Sequence, residues 1–410
     1  MKSFFILLTA ILIAACQTIP AYERDKSIKN DIQILASDSL QGREIGTKGE
    51  LKAAAYLEQR MKSLGLSPKG SEGYLQKFYV KKSTNPHESA IVSDQSDSAG
   101  TTGYNVLGLI DNPGDDIIVI GAHYDHLGFG GASSMDRGSN EIHNGADDNA
   151  SGTAGLLHLA RVLAHQELNS DILFFAISGE EQGLWGSNYY TNHPTVELDK
   201  VKYMVNMDMI GRLDTARGLA IYGVGTAPDW DVAIDTTNTT GLKIIKKESG
   251  RGPSDHTSFY VKDIPVLHFF TGQHEDYHRP SDDVEKINIK GILEVTGLIN
   301  RIIQEVEDQG PLDFQTTKDE STNAPRFTVS LGVMPDYLYE GLGMMIADVS
   351  EDKPAKEAGI EKGDVVIQMG DSTITDMMSY MRALSGYSKG DQTEVVVERS
   401  GKKKAFTITF

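Results

Sequence analysis

Five short segments of this 410-residue chain carry side chains able to hold and activate a metal ion. They are Gly121-Ala122-His123-Tyr124-Asp125, Gly145-Ala146-Asp147-Asp148-Asn149-Ala150-Ser151-Gly152, Ser178-Gly179-Glu180-Glu181, Asn206-Met207-Asp208 and Tyr277-His278-Arg279-Pro280. Imidazoles mixed with carboxylates suit zinc better than the oxygen-seeking cations. Metal-assisted hydrolysis needs such donors to acidify a water, a carboxylate in hydrogen-bond reach to carry its proton, and a donor facing the developing oxyanion. Singly, each segment has a plainer account. A strand-end histidine is more often a hydrogen-bonded core group, and paired acids before a helix often only cap it. Their joint occurrence has no such account. Within Glu180-Glu181, the residues alone allow either glutamate to be the ligand and the other the base.

The elements around these segments explain how they could meet. Ile117 to Ile120 is a short apolar strand, Ser151 to His165 reads as a helix, and Asp171 to Ile177 as a second strand. Tyr203 to Met209 and Ile264 to Phe270 repeat the strand pattern, and Lys290 to Val306 closes with a helix. Buried strands alternating with helices predict an α/β fold, a three-layer α/β/α sandwich with a mostly parallel central sheet. Ligands of such sheets sit beyond the carboxyl ends of the strands, where these segments fall. Upstream, Asp25 to Leu66 reads as helical, with Ala53, Ala54, Leu57 and Met61 at helical spacing. Ser83 to Gly103, rich in Ser, Asp, Thr and Gly, reads as a surface loop. Residues 309–325 are polar, hold two prolines and read as a linker between a domain at 24–308 and a small β-rich one at 326–410.

Composition bounds the partners. A net charge of -19 argues against a nucleic-acid partner, which would need clustered Lys and Arg. Lys2 followed by the apolar run Phe4 to Ala15 is too short for a membrane span but suits a signal peptide. It ends in Ile13-Ala14-Ala15-Cys16, which resembles a bacterial lipobox. Residues 1–16 are therefore expected to be a lipoprotein signal segment, and Cys16 the acylated mature N-terminus. The expected location is export to a bacterial membrane, on the periplasmic or surface side of the outer membrane, with membrane contact through the lipid anchor only. Cys16 is the only cysteine, so no intramolecular disulfide can form.

From Ile28 to Glu307 the chain resembles the secreted dizinc aminopeptidases of the aminopeptidase S and aminopeptidase Y type. The stretch Leu35-Ala36-Ser37-Asp38-Ser39-Leu40-Gln41-Gly42-Arg43 and all five ligand segments carry the resemblance. It implies a zinc exopeptidase-like fold, two zinc ions, and peptide substrates with free N-termini. By position it makes Asp148 the bridging ligand, with His123 and Asp208 completing one metal site and Glu181 and His278 the other. Glu180 would be the general base, Asp125 would orient His123, and Tyr277 would polarise the scissile carbonyl. Gly252-Pro253-Ser254-Asp255-His256 matches a family loop near the pocket, with no chemistry assigned. His126, His143, His158, His165 and His268 are expected to be structural or exposed. Relatives leave alternatives: a glutaminyl cyclase, a carboxypeptidase or dipeptidase, or an inactive scaffold.

In the last segment, Ser330-Leu331-Gly332-Val333 resembles the carboxylate-binding loop of PDZ domains. The run Pro354-Ala355-Lys356-Glu357-Ala358-Gly359-Ile360-Glu361-Lys362-Gly363-Asp364 resembles bacterial protease-associated PDZ domains. The resemblance implies capture of peptide or protein C-termini by strand addition. Every implied catalytic residue lies upstream of Arg326, so this module is expected to be dispensable for hydrolysis of small substrates.

Overall fold

The computed structural model describes residues 21–410 except 82–89, 96–99, 137, 139, 308, 319–327 and 351–352, with side chains from residue 25 onward. The expected signal segment and Cys16 lie outside the described residues. The first sheet comprises β1 (Ser67–Pro68), β2 (Leu75–Lys81), β3 (Ile91–Ser93), β4 (Thr101–Ile110), β5 (Ile117–His123), β6 (Asp171–Ile177), β7 (Val201–Met207), β8 (Leu219–Tyr222), β9 (Ile244–Lys247) and β10 (Val266–Phe270). Their spatial order is β3-β2-β4-β6-β5-β7-β10-β8-β9, with β1 paired to β4. The central β6, β5, β7 and β10 run parallel, while β4 and β8 flank them antiparallel.

The parallel strands are apolar on both faces because helices cover both. Ile118, Ile120, Phe174 and Val205 face the helices Lys48–Ser63, Gly152–Leu163 and Ile289–Val306. Val119, Leu173, Phe175 and Met204 face Tyr190 and Phe259, carried by the short helices Trp185–Asn192 and His256–Tyr260. Each such buried side chain stabilises the sandwich by about 1.5–3 kcal/mol. The layered fold is the one expected from the sequence.

Two local expectations change. The single helix read over residues 25–66 is two helices, Ala21–Leu35 and Lys48–Ser63, separated by a tight turn at Asp38–Arg43. Gly42 has φ +67° there, and a Cβ on it would sit 2.6 Å from the carbonyl oxygens of Gly128 and His143. The break therefore lets the chain press against the loops that carry the site. The loop read over residues 83–103 includes β3 and the start of β4.

The second sheet holds β11 (Val333–Pro335), β12 (Met344–Val349), β13 (Val365–Met369), β14 (Ser372–Thr373), β15 (Gln392–Arg399) and β16 (Lys402–Thr409). Its order is β11-β12-β13-β15-β16, with β14 on β13, which leaves one side of β11 as a sheet edge. Leu331, Ile346, Val366, Val395, Val397 and Ile408 form a separate core. The first part of the expected linker is docked rather than free. Leu312 is buried in the main core, Gln315 N–H donates to Thr226 O at 2.8 Å, and Gly250 N–H donates to Thr317 Oγ1 at 3.0 Å. Two apolar residues in a polar run, Leu312 and Phe314, account for this.

Candidate metal centre

The ends of β5, β6 and β7 and the loop after β10 bring His123, Glu180, Glu181, Asp208 and His278 to the same edge of the sheet, with Asp148 in the loop before the helix Gly152–Leu163. Asp148 lies between the two imidazoles. Its Oδ1 is 3.4 Å from His123 Nε2, and its Oδ2 is 3.3 Å from His278 Nε2. Asp208 Oδ1 is 3.3 Å from His123 Nε2, and Glu181 Oε2 is 3.2 Å from His278 Nε2. Glu180 stands back, with Oε2 3.9 Å from His123 Nε2. The arrangement is two imidazole–carboxylate groups sharing one carboxylate. Such buried charges are stable when each faces an opposite charge or an ion.

Grouped by mutual distance alone, donor atoms of His123, Glu180 and Asp208 lie within 4.8 Å of one another, as do those of His126, Asp148 and Glu181. Pairwise contacts decide between the candidates. Asp148 is nearer than Glu180 to His123. His126 Nδ1 is 2.7 Å from Glu181 Oε1 but 4.0 Å from Asp148, so it anchors the glutamate oxygen that His278 does not face. His126, expected to be structural or exposed, is buried inside the site against Glu181. Its signal was its place three residues after His123 on a loop already marked.

The two glutamates have opposite surroundings. Burial holds the Glu180 carboxyl well above the ordinary range, reinforced by Asp208 and Glu181 against the pull of His123. Burial also opposes charge on Glu181, yet His278 and His126 draw it down to about 2. Burial likewise disfavours charge on His123 and His278, but Glu180 and Asp208 around the first and Glu181 and Asp148 around the second hold both well above the usual imidazole value. The surroundings thus favour the neutral form of one glutamate and the ionised form of its neighbour. Asp125 sits behind His123, its Oδ1 3.6 Å from Nδ1 and accepting the Glu180 N–H at 3.2 Å. Tyr277 stacks on the His278 ring with centroids 3.8 Å apart. Burial, with Asp148 and Glu181 nearby, keeps its phenol protonated far above the ordinary value.

The carboxylates open into a pocket of about 130 Å³, bounded by Met209, Tyr222, Phe270, Tyr277 and, from the second domain, Tyr337. It is smaller than the roughly 300 Å³ at which small-molecule sites begin, and fits a single side chain.

Residues 105–303 match peptidase family M28, and residues 312–410 match the PDZ domain. The larger unit belongs to peptidase family M28. Among curated relatives, aminopeptidase YwaD of Bacillus subtilis is 28% identical over 225 residues, which cover 50% of this chain and 45% of that protein. The chain spans about half the length of the curated relatives it matches. A solved zinc aminopeptidase from Bacillus subtilis superposes with TM-score 0.52 at 20% identity, covering 71% of this chain and 97% of that one. A Porphyromonas gingivalis glutaminyl cyclase superposes with TM-score 0.53 at 18% identity, covering 68% and 98%. These superpositions establish the fold that the M28 domain shares with both.

Contacts behind the donors separate the neighbours Asp147 and Asp148 in the M28 domain. Asp147 Oδ1 accepts from Gly211 N at 2.6 Å and from Ser151 Oγ at 2.9 Å, and its Oδ2 is 3.0 Å from His274 Nε2. Its oxygens are thereby committed to the protein. Asp282 Oδ2 accepts the N–H groups of Asp147 and Asp148 at 2.8 and 3.1 Å, fixing the loop that presents Asp148. Ser254 Oγ donates to Asp208 Oδ2 at 2.8 Å and receives Asn206 Nδ2 at 2.8 Å. The loop at residues 252–256 therefore orients a metal-competent carboxylate.

Arg43 is the largest device of this kind. Fully buried, it donates to the carbonyl oxygens of Tyr124 at 2.6 Å, Asn144 at 2.7 Å, Gly145 at 3.0 Å, and also Leu35. One guanidinium thus clamps the loops bearing His123 and Asp148. Arg43→Met should leave those carbonyls without donors and destabilise the M28 domain by on the order of 2 kcal/mol. Urea denaturation monitored by circular dichroism checks this; an unchanged midpoint would show that water replaces the clamp without loss.

Tyr337 of the PDZ domain lines the pocket of the M28 domain, so a residue of the small module borders the site.

Proposed function

We propose that this chain is a zinc-dependent aminopeptidase that releases single residues from the N-termini of peptides. His123, Asp148 and Asp208 would hold one zinc ion, and His278, Asp148 and Glu181 a second. The donor set fits: mixed imidazole and carboxylate, buried, and arranged about the shared Asp148. When bound, the ion pair supplies Lewis acidity that makes water a competent nucleophile near neutral pH. Glu180, set back from the imidazoles and facing the pocket, takes a proton from that water and returns it to the leaving amine. Tyr277, held protonated, donates a hydrogen bond to the substrate carbonyl oxygen as charge develops there. Asp125 holds the His123 ring in position from behind.

The observation that carries the reading is Asp148, with one oxygen toward each imidazole, at the floor of a pocket sized for one side chain. The test is a panel of aminoacyl p-nitroanilides, free and N-acetylated, with a glutaminyl peptide and a C-terminally probed dipeptide, in zinc and after chelation. The free aminoacyl substrates should be hydrolysed, the acetylated ones spared, and chelation should abolish turnover with recovery on adding zinc. Cyclisation of the glutaminyl peptide without hydrolysis of the others would establish a glutaminyl cyclase instead. Release of the C-terminal residue from the dipeptide, with every p-nitroanilide spared, would establish a carboxypeptidase or dipeptidase.

A further inference from the structure

We propose that the PDZ domain is a built-in part of the substrate pocket, with Tyr337 forming a wall that selects apolar N-terminal side chains. This rests on the aminopeptidase reading for its substrate and on geometry for its site. The segment Asp336–Tyr339 directly follows β11 and leaves the PDZ domain toward the M28 domain. Leu338 is 5% exposed and packs with Ala220 and Ile245, against Tyr222 and Phe270. Gly272 permits this approach: a Cβ there would lie 2.6 Å from Leu338 Cδ1, and its φ of +92° suits glycine. Tyr222 and Phe270 thus serve two surfaces at once, the seat of Leu338 and the pocket that Tyr337 lines.

The segment is held in place at both ends. Asp336 N–H donates to Met345 O at 2.8 Å within the PDZ domain. Asp336 Oδ1 accepts from Leu338 N at 2.9 Å and from Arg217 Nη2 of the M28 domain at 2.9 Å. The loop bearing His278 is gripped on either side of that histidine. Arg279 Nη2 donates to Asp348 Oδ2 at 2.9 Å, and Lys362 Nζ to Glu275 Oε2 at 3.0 Å. A freely tethered module would not be fixed on the same loop that supplies a metal-competent imidazole. The chemistry of the pocket follows from its surfaces. The lining combines the carboxylates with Met209, Tyr222, Phe270 and Tyr337, so it offers partners both to a free amine and to an apolar side chain.

Full-length protein and its Tyr337→Ala and Tyr337→Phe variants are compared on leucyl, phenylalanyl and glycyl p-nitroanilides, with zinc content measured for each. Tyr337→Ala should lower kcat/KM about tenfold or more for leucyl and phenylalanyl substrates, the range for lost contacts in an apolar pocket, and leave the glycyl substrate within about threefold. Tyr337→Phe should behave as wild type. Equal loss on all three substrates, or no loss, in a folded and zinc-loaded variant overturns the proposal. Calorimetric titration with free L-leucine, with glycine as control, tests the wall without turnover. Weaker leucine binding in Tyr337→Ala supports it even if wild-type protein hydrolyses nothing, a result that would sink the peptidase reading alone. Leucine binding that Tyr337→Ala leaves unchanged, or none to wild-type protein, overturns it.

Discussion

Glu180→Gln should keep its zinc and its substrate affinity and lose about 10²–10⁴-fold in kcat, the span of general acid–base catalysis. The amide keeps the shape of the side chain but cannot accept a proton from water. Glu181→Gln should fail in another way, because Glu181 faces His278 at 3.2 Å and is anchored by His126 at 2.7 Å, where a ligand belongs. Losing that charge should weaken one zinc, and added zinc should restore part of the activity. Metal analysis beside steady-state kinetics separates the two. If Glu180→Gln loses metal while Glu181→Gln retains it, the roles are exchanged.

Asp148→Ala should lose both zinc ions and all measurable turnover. Its two oxygens address the two imidazoles separately, so one substitution removes a donor from each site. It also leaves His123 and His278 without the carboxylate between them. Asp147→Asn is the informative companion. Asp147 is spent on Gly211, Ser151 and His274, so its amide should cost stability and leave the metal count intact. A tight single zinc in Asp148→Ala would refute the shared position.

What could be read from the sequence was what a parallel sheet makes local. Strands that run the same way present their carboxyl ends together, so polar residues at the ends of three apolar runs are neighbours by topology. His123, Glu180, Glu181 and Asp208 were legible for that reason. What was not legible depends on partners distant in the chain. Nothing near Asp282 says that its carboxylate supports the backbone of Asp148, and nothing near Arg43 says that its side chain reaches Gly145. The pair Asp147-Asp148 is symmetric in sequence and becomes distinct only through Gly211 and His274. Tyr337 carried no signal because it belongs to the pocket of one domain and the chain of another.

The seam between the domains divides its work between two kinds of contact. Among the described residues, the apolar anchor Leu338 is accompanied by charge pairs: Arg217–Asp336 at 2.9 Å, Arg279–Asp348 at 2.9 Å, Lys362–Glu275 at 3.0 Å and Lys243–Glu340 at 3.5 Å. Such surface pairs, two of them partly buried, contribute about 0–1 kcal/mol each and are screened by salt, whereas burial of a leucine is not. The anchor therefore governs how firmly the domains adhere, and the charges govern the angle at which they meet. Rising ionic strength should loosen alignment before it causes separation. The width of the cleft beside Tyr337 then becomes a property of the medium as well as of the chain.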